Sequence, residues 1–436
     1  MEYIEFDRHA IKTPPRSLWL DGWRVDYLAF SAPENAHKPP LMVVGGAFQN
    51  FTSYKYSVER IYEDFPVILI DLPSLGNNDQ LGPELGMEEL AELLLKMVQA
   101  LKLPKVHMMG LSLGSAVVST FAYKYPEYMG KLMVAGIVIN PRKSWRMLVK
   151  ESVRVLERGD MMDTFAQGVV LYLVNYHKLH KTGLSPTARR LFYRQMKRLN
   201  DNERERYKIN GWRLYDTKGL IGFPECETLV MTGEYDSFTL PHENAEFASR
   251  CPNATFALVE NADHLPQLER REASLNLFSA FLRGEDLTSI DGVRILDPHT
   301  LMQGERRRSV RYRPLQPKAQ WQLRTHEGEL LAQCEATVVD INFFGCLIKL
   351  KEPALLEGHD LEELDHQITL CAPEFQLGVL VFEATKEGCL RGIFKHGDIK
   401  VAEAFRDQLT DLQWFEEVEG GTSVKAPSLS VSSAFK

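Results

Sequence analysis

Short runs of apolar residues, each about one strand long, punctuate the first two thirds of the chain. Leu41–Val44 ends in Gly45-Gly46, Pro66–Asp71 ends in an acid, and Lys105–Met109 runs into Gly110. Between them Met87–Val98 carries its leucines at helical spacing. Glu227–Met231 and Thr255–Val259 repeat the strand-like form later. Near-continuous apolar strands alternating with helices predict a parallel sheet covered on both faces. From about 143 to 220 the strand signal stops and long helical patterns take over, with Ser185-Pro186 placed as an N-cap and first helical residue. That stretch is expected to be a helical cap inserted into the α/β domain.

The pattern changes again after Leu282. Residues 284–303 are polar without clear periodicity and read as a linker between a first domain, 1–283, and a second, 304–416. The second domain is dominated by short β-type segments, among them Ala336–Asp340, Cys346–Leu350 and Gln376–Phe382, with a closing helix near Val401–Leu412. This predicts a small β-barrel. The Gly/Ser/Thr-rich stretch 417–436 reads as a disordered tail.

Composition sharpens this picture in a few respects. With 436 residues, 44% hydrophobic and 25% charged, the chain has room for two cores. A net charge of −8 argues against DNA or RNA as a partner, although an average hides local patches. The six cysteines show neither a CxxC pair nor metal-ligand spacing, so they read as reduced thiols of a cytoplasmic protein with no metal site. The acidic start lacks the features of a signal peptide, and no apolar run has the length of a transmembrane segment.

The densest chemical signal is Gly110-Leu111-Ser112-Leu113-Gly114, after a strand and before a helix. A strand–tight turn–helix needs glycines so that neighbouring backbone can approach a strained, exposed serine. The bland alternative is a Gly-rich turn before an ordinary helix. A serine hydroxyl is a weak nucleophile and needs a base oriented by an acid. Both follow later strands: Asp236 after Glu227–Met231, and His264 after Thr255–Val259. Ser112, His264 and Asp236 are therefore expected to act as nucleophile, general base and orienting acid. Glu234 and Asp263 are rival acids. His107 reads as a packed core residue, His177 and His180 as insertion or surface residues, and His242 as a weaker alternative base. The N–H groups of Leu113 and of Ala47, after Gly45-Gly46, are the expected oxyanion donors. This chemistry requires no cofactor.

Gly45-Gly46, Asp71–Gly76, Gly110–Gly114, Gly233–Asp236 and Asp263-His264 resemble the α/β-hydrolase pattern in order and spacing, over about 260 residues. Within that superfamily, Gly46-Ala47, the Ile70–Pro73 turn and an insertion ending near Asn210–Trp212 resemble the acyltransferases that join two 3-hydroxyacyl chains in rhamnolipid precursor synthesis. The resemblance implies an acyl ester or thioester substrate, free or carrier-bound, with water or a hydroxyacyl group as acceptor. The apolar stripe Met161–Tyr176 reads first as the cap's own buried face and second as an acyl channel.

A second signal is the arginine cluster Arg306–Arg313, at the entry to the β-rich domain. Guanidinium forks suit phosphate oxygens and the guanine edge, and a compact guanine dinucleotide fits better than a linear nucleic acid. Arg307–Arg311 together with Asp340–Gly345 resembles the paired motifs of PilZ domains, which bind cyclic di-GMP. The likeness implies that Arg307 and Arg311 hold phosphates and guanine edges, that Asp340 accepts from guanine, and that Gly345 permits close approach. Asn342 stands where that family usually has serine. The reading is a cytoplasmic serine acyl enzyme regulated by cyclic di-GMP in bacterial signalling. Its rivals are a plain esterase or thioesterase, and a cyclic di-GMP receptor or adaptor with a non-catalytic hydrolase scaffold.

Overall fold

The computed structural model describes residues 1–217, 219–303 and 309–418. It divides into two units. The first contains the described residues up to Gln303 together with Lys395–Ala402, and the second Ser309–Phe394 with the described residues from Glu403 onward.

A nine-stranded sheet organises the first unit. Its centre is parallel, in the order Val67–Asp71, Leu41–Val44, Val106–Leu111, Met129–Ala135, Glu227–Gly233, Ala254–Val259. Alternation within these strands supplies both faces: Met42 and Val44 join one core with Leu90, Leu94 and Phe121, while Leu41 and Val43 join another with Leu277 and Phe278. Burial on both sides explains why the strands read as unbroken apolar runs. On one edge lie Trp23–Phe30 and Arg16–Leu20, both antiparallel.

The other edge corrects the expected linker. Within 284–303 the strand Val293–Leu296 pairs antiparallel with Ala254–Val259, and the helix Pro298–Gln303 follows it. An edge strand with one buried residue in four carries too few apolar positions to register as a strand in the sequence.

The insertion comprises the helices Lys143–Arg158, Met162–Leu173, Pro186–Lys197 and Asp201–Asp216. Ser185 Oγ accepts from the Ala188 N–H, and Asn200 forms a capping box with Glu203, so the starts of the last two helices are encoded locally. Phe165, Val169, Leu173, Leu156 and Met196 give the insertion its own core. Among the described residues, no helix is long and apolar enough to cross a membrane.

In the second unit, six antiparallel strands close into a barrel: Lys318–Arg324, Asp365–Cys371, Glu374–Ala384, Cys389–Phe394, Gly345–Leu350 and Leu330–Asn342, with the last pairing back to the first. Alternate residues such as Ala319, Trp321 and Leu323 fill the interior. Two further strands, Arg311–Pro314 and Phe415–Val418, pair with each other, and the former also pairs with Leu330–Asn342. The tail expected from residue 417 therefore keeps Glu417 and Val418 in a strand, and 419–436 lie outside the described residues.

Candidate active site

Ser112 caps the helix Leu113–Lys124 at φ 50° and ψ −119°, a conformation that costs an L-residue strain and holds the hydroxyl out of the sheet. The flanking glycines make this turn possible. A Cβ at Gly110 would lie 2.5 Å from the Gly114 carbonyl oxygen, and one at Gly114 would lie 2.3 Å from that of Val44. Below the turn, Ser112 N–H donates to Ala135 O at 2.7 Å, and the Ser115 hydroxyl lies 2.8 Å from the carbonyl oxygens of both Gly110 and Ala135, within donating distance of either.

The loops after two other parallel strands bring the partners. His264 Nε2 lies 3.3 Å from Ser112 Oγ, and Nδ1 lies 2.9 Å from Asp236 Oδ2. Asp236 is held in turn by the N–H groups of Phe238 and Thr239 on Oδ1, and by Thr239 Oγ1, which donates to Oδ2 at 2.7 Å. The Phe238 ring meets the imidazole edge-on at 5.1 Å. Burial pushes the His264 pKa down, but the Asp236 charge and hydrogen bond, with the charge of Asp263, push it up further, so the net shift is upward. An imidazole so placed is a stronger base toward Ser112.

The rival acids are committed elsewhere. Glu234 accepts from Asn261 N–H and pairs with Arg294, and Asp263 accepts the N–H groups of Asn175 and Leu265. His107 accepts from Lys131 N–H through Nδ1, and burial lowers its pKa to about 4, as suits a packed neutral imidazole. His242 lies half-buried on the helix Pro241–Arg250.

The backbone N–H groups of Ala47 and Leu113 have no protein acceptor among the described residues. Leu113 is the first residue of its helix, where an N–H has no intrahelical partner and the dipole favours negative charge. A Cβ at Gly46 would lie 3.2 Å from Ser112 Cβ, so the loop bearing Ala47 runs against the elbow. Gln49 Oε1 fixes this loop by accepting from Gly46 N–H at 2.8 Å.

Ser112 and His264 open on a cavity of 340 Å³ whose walls include Phe48, Val155, Phe165, Val169, Leu173 and Tyr207. Sequence reasoning identified the stripe in the insertion but missed Phe48, Tyr207 and Thr239. A lone threonine three residues after an aspartate carries no distinguishing signal.

In the second unit, Arg311 Nη1 lies 3.3 Å from Asp340 Oδ2. Asn342 Oδ1 accepts from the N–H groups of Phe344 and Gly345, closing the turn between two strands. A Cβ at Gly345 would lie 2.3 Å from the carbonyl oxygen of Gly392 on the neighbouring strand. The Gly345 backbone thus lies close against the neighbouring strand of the barrel. Arg307 lies outside the described residues.

A parallel sheet with a strained serine at the end of a central strand, facing a histidine held by an aspartate, defines an α/β enzyme of the hydrolytic class. Residues 39–271 match the model of the alpha/beta hydrolase fold family, more than half the chain, and the chain belongs to that family. It is 24% identical over 297 residues to a poly(3-hydroxyalkanoate) depolymerase of Ectopseudomonas oleovorans, covering 65% of this chain and 92% of that one. It is 22% identical over 299 residues to lipase 3 of Moraxella sp. (strain TA144), covering 64% and 88%. Among solved structures, a thermophilic esterase from Thermogutta terrifontis aligns with a TM-score of 0.52 at 21% identity, covering 62% of this chain and 98% of the esterase.

Proposed function

We propose that the first unit cleaves esters or thioesters of apolar acyl groups, free or carrier-bound, through an acyl-serine intermediate. The observation that carries this reading is the Asp236–His264–Ser112 run opening on an apolar cavity. Ser112 Oγ attacks the acyl carbon as His264 Nε2 takes its proton, and the carbonyl electrons move onto oxygen beside the N–H groups of Ala47 and Leu113. Asp236 holds the imidazole and balances its charge. Collapse expels the alcohol or thiol, which receives the proton from His264. Water then attacks the acyl-serine by the same route, releasing the acid and restoring Ser112. Similarity to a poly(3-hydroxyalkanoate) depolymerase supports 3-hydroxyacyl esters as the substrate class. The apolar cavity also favours a second acceptor, the hydroxyl of a fatty 3-hydroxyacyl group, so that the enzyme would act as an acyltransferase. All six cysteines are free thiols, which supports action in the reducing cytoplasm.

For the second unit we propose cyclic di-GMP binding at Arg307, Arg311, Asp340, Asn342 and Gly345 as a regulatory input. The support is the side-by-side placement of Arg311 and Asp340 beside the Asn342–Gly345 turn, with guanidinium-to-phosphate pairing replacing the existing ion pair.

Ser112→Ala is expected to abolish turnover of p-nitrophenyl acyl esters and to leave calorimetric binding of cyclic di-GMP intact. Retained turnover would overturn the nucleophile assignment. No heat with cyclic di-GMP, or full binding by Arg311→Ala, would overturn the second site. Lipid mass spectrometry with and without a hydroxyacyl acceptor separates hydrolysis from transfer. Turnover unchanged by saturating cyclic di-GMP would remove the regulatory claim.

A further inference from the structure

The acid beside the catalytic histidine belongs to a pair. Asp263 is fully buried, and Glu269, five residues beyond His264, is 8% exposed. Glu269 Oε2 accepts the Asp263 N–H at 2.5 Å. Asp263 Oδ1 accepts from Leu265 N–H at 3.2 Å, and Oδ2 from the N–H of Asn175 at 2.8 Å. Asn175 belongs to the helical insertion, and its side chain also donates to Tyr235 O at 2.9 Å. One insertion residue is therefore bound to both loops that carry His264 and Asp236. Glu269 Oε1 has no hydrogen-bond partner among the described residues.

Two adjoining carboxylates cannot both stay ionised in a site this dry. Two backbone donors favour charge on Asp263, while the unpartnered Oε1 is where Glu269 can carry a proton. We propose that Asp263 and Glu269 share one proton and together present one negative charge to His264, supplementing Asp236 in balancing the imidazolium formed when Ser112 is deprotonated. They are positioning residues: they act through His264 and need not touch substrate. The inference rests on His264 being the base of the proposed reaction.

Electrostatics agree with this geometry. Burial drives both carboxyls upward from their ordinary range, and each interacts with the other. The other charged groups acting on the pair are Asp236, which pushes both up, and Arg270, which draws Glu269 down. Asp263 also raises the basicity of His264. Because the proton belongs to the pair, the two residues titrate as a unit.

The sharing predicts non-additive behaviour. In Asp263→Asn or Glu269→Gln, the remaining carboxyl ionises against its new amide partner, so one negative charge persists. Each single variant should keep the acid limb of the kcat/KM–pH profile where the wild type has it. The double variant keeps neutral hydrogen-bonding groups at both positions but carries no charge, and its acid limb should move down by about one pH unit. An unmoved limb in the double variant, or a full shift in either single variant, overturns the proposal. A uniform loss of kcat at every pH, with no shift, makes the pair purely structural and also overturns it. Should the double variant fail to fold, infrared difference spectra between wild type and Glu269→Gln at about pH 6 provide the second measurement. They should show one protonated buried carboxyl in the wild type that the variant lacks, and its absence refutes the shared proton. Failure of the triad itself is read separately, from turnover retained by Ser112→Ala.

Discussion

Arg213 Nη2 donates to the carbonyl oxygen of Gly82 at 2.6 Å, binding the last insertion helix to the loop that follows the strand Val67–Asp71. The same guanidinium donates to Leu85 O at 2.7 Å and to Pro73 O at 3.3 Å, and Asn210 Nδ2 donates to Ser74 O at 2.8 Å. Arg206 adds a bond to Gly76 O. The insertion is fastened to the sheet by polar side chains that saturate loop carbonyls, so its position depends on them. Arg213→Met should leave three buried carbonyls without that donor and cost about 3 kcal/mol in urea unfolding. Arg213→Lys, with a single ammonium head, should recover less than half. Unfolding midpoints within error of wild type for both would show that the cap is held by its apolar core alone.

Gly114 touches the strand Leu41–Val44 so closely that an added methyl would overlap Val44 O at 2.3 Å and Gly45 O at 2.7 Å. Gly114→Ala must push the helix off the strand, at an overpacking cost of about 1–3 kcal/mol. The shift would also separate the Ala47 and Leu113 amides, so turnover should fall at least about tenfold, with most of the loss in kcat. A variant with wild-type melting temperature and wild-type kcat would contradict the packing described.

Much of this site was legible because its signals are local. The elbow is written within five residues, and the two partners follow strands whose apolar runs are unmistakable. The small barrel was expected from the run of short β-type segments, but the strands that close it were not, since pairing between Lys318–Arg324 and Leu330–Asn342 depends on register, which a period-two pattern does not set alone. The strand Val293–Leu296 was hidden because an edge position needs few apolar residues. The strands Arg16–Leu20 and Met129–Ala135 escaped notice for a related reason: the first has no fully buried residue, and in the second Gly130 and Lys131 interrupt the apolar run after Met129. Asn175 and Glu269 were invisible because their importance arises from contacts across distant segments, 88 residues apart in the case of Asn175 and Asp263.

Asp71 links stability to pH. Burial raises its carboxyl to about 7, Asp26 adds to the rise, and the Asn77 N–H bond and Arg206 oppose it. The unfolded chain titrates near 3.9, so between these values the folded protein holds a proton that the unfolded chain has lost. The contribution to stability is therefore full below about pH 4, declines as pH rises through about 7, and has gone above that, for a total on the order of 4 kcal/mol. Asp71→Asn keeps an acceptor for the Asn77 N–H and removes the titration. Its stability should fall less than that of wild type between about pH 5 and pH 8. Parallel stability–pH curves for the two proteins would place the Asp71 proton in both states or in neither.

Chain-length dependence tests what the cavity is for. Its 340 Å³ are walled largely by aliphatic and aromatic side chains and open beside Ser112, so an acyl chain entering it exchanges water for apolar contact. Each buried methylene contributes about 0.8 kcal/mol, so lengthening the acyl group by two carbons should raise kcat/KM about fifteenfold while space remains. Once the cavity is full the gain should stop, and a carboxylate at the chain end should abolish it through desolvation. Filling the wall with Val155→Phe should move the plateau to shorter chains while leaving acetyl ester turnover near wild type. The measurement is kcat/KM for p-nitrophenyl esters of about two to sixteen carbons. A profile that peaks at acetyl, or one that Val155→Phe leaves unmoved, would mean that the cavity does not receive the acyl chain.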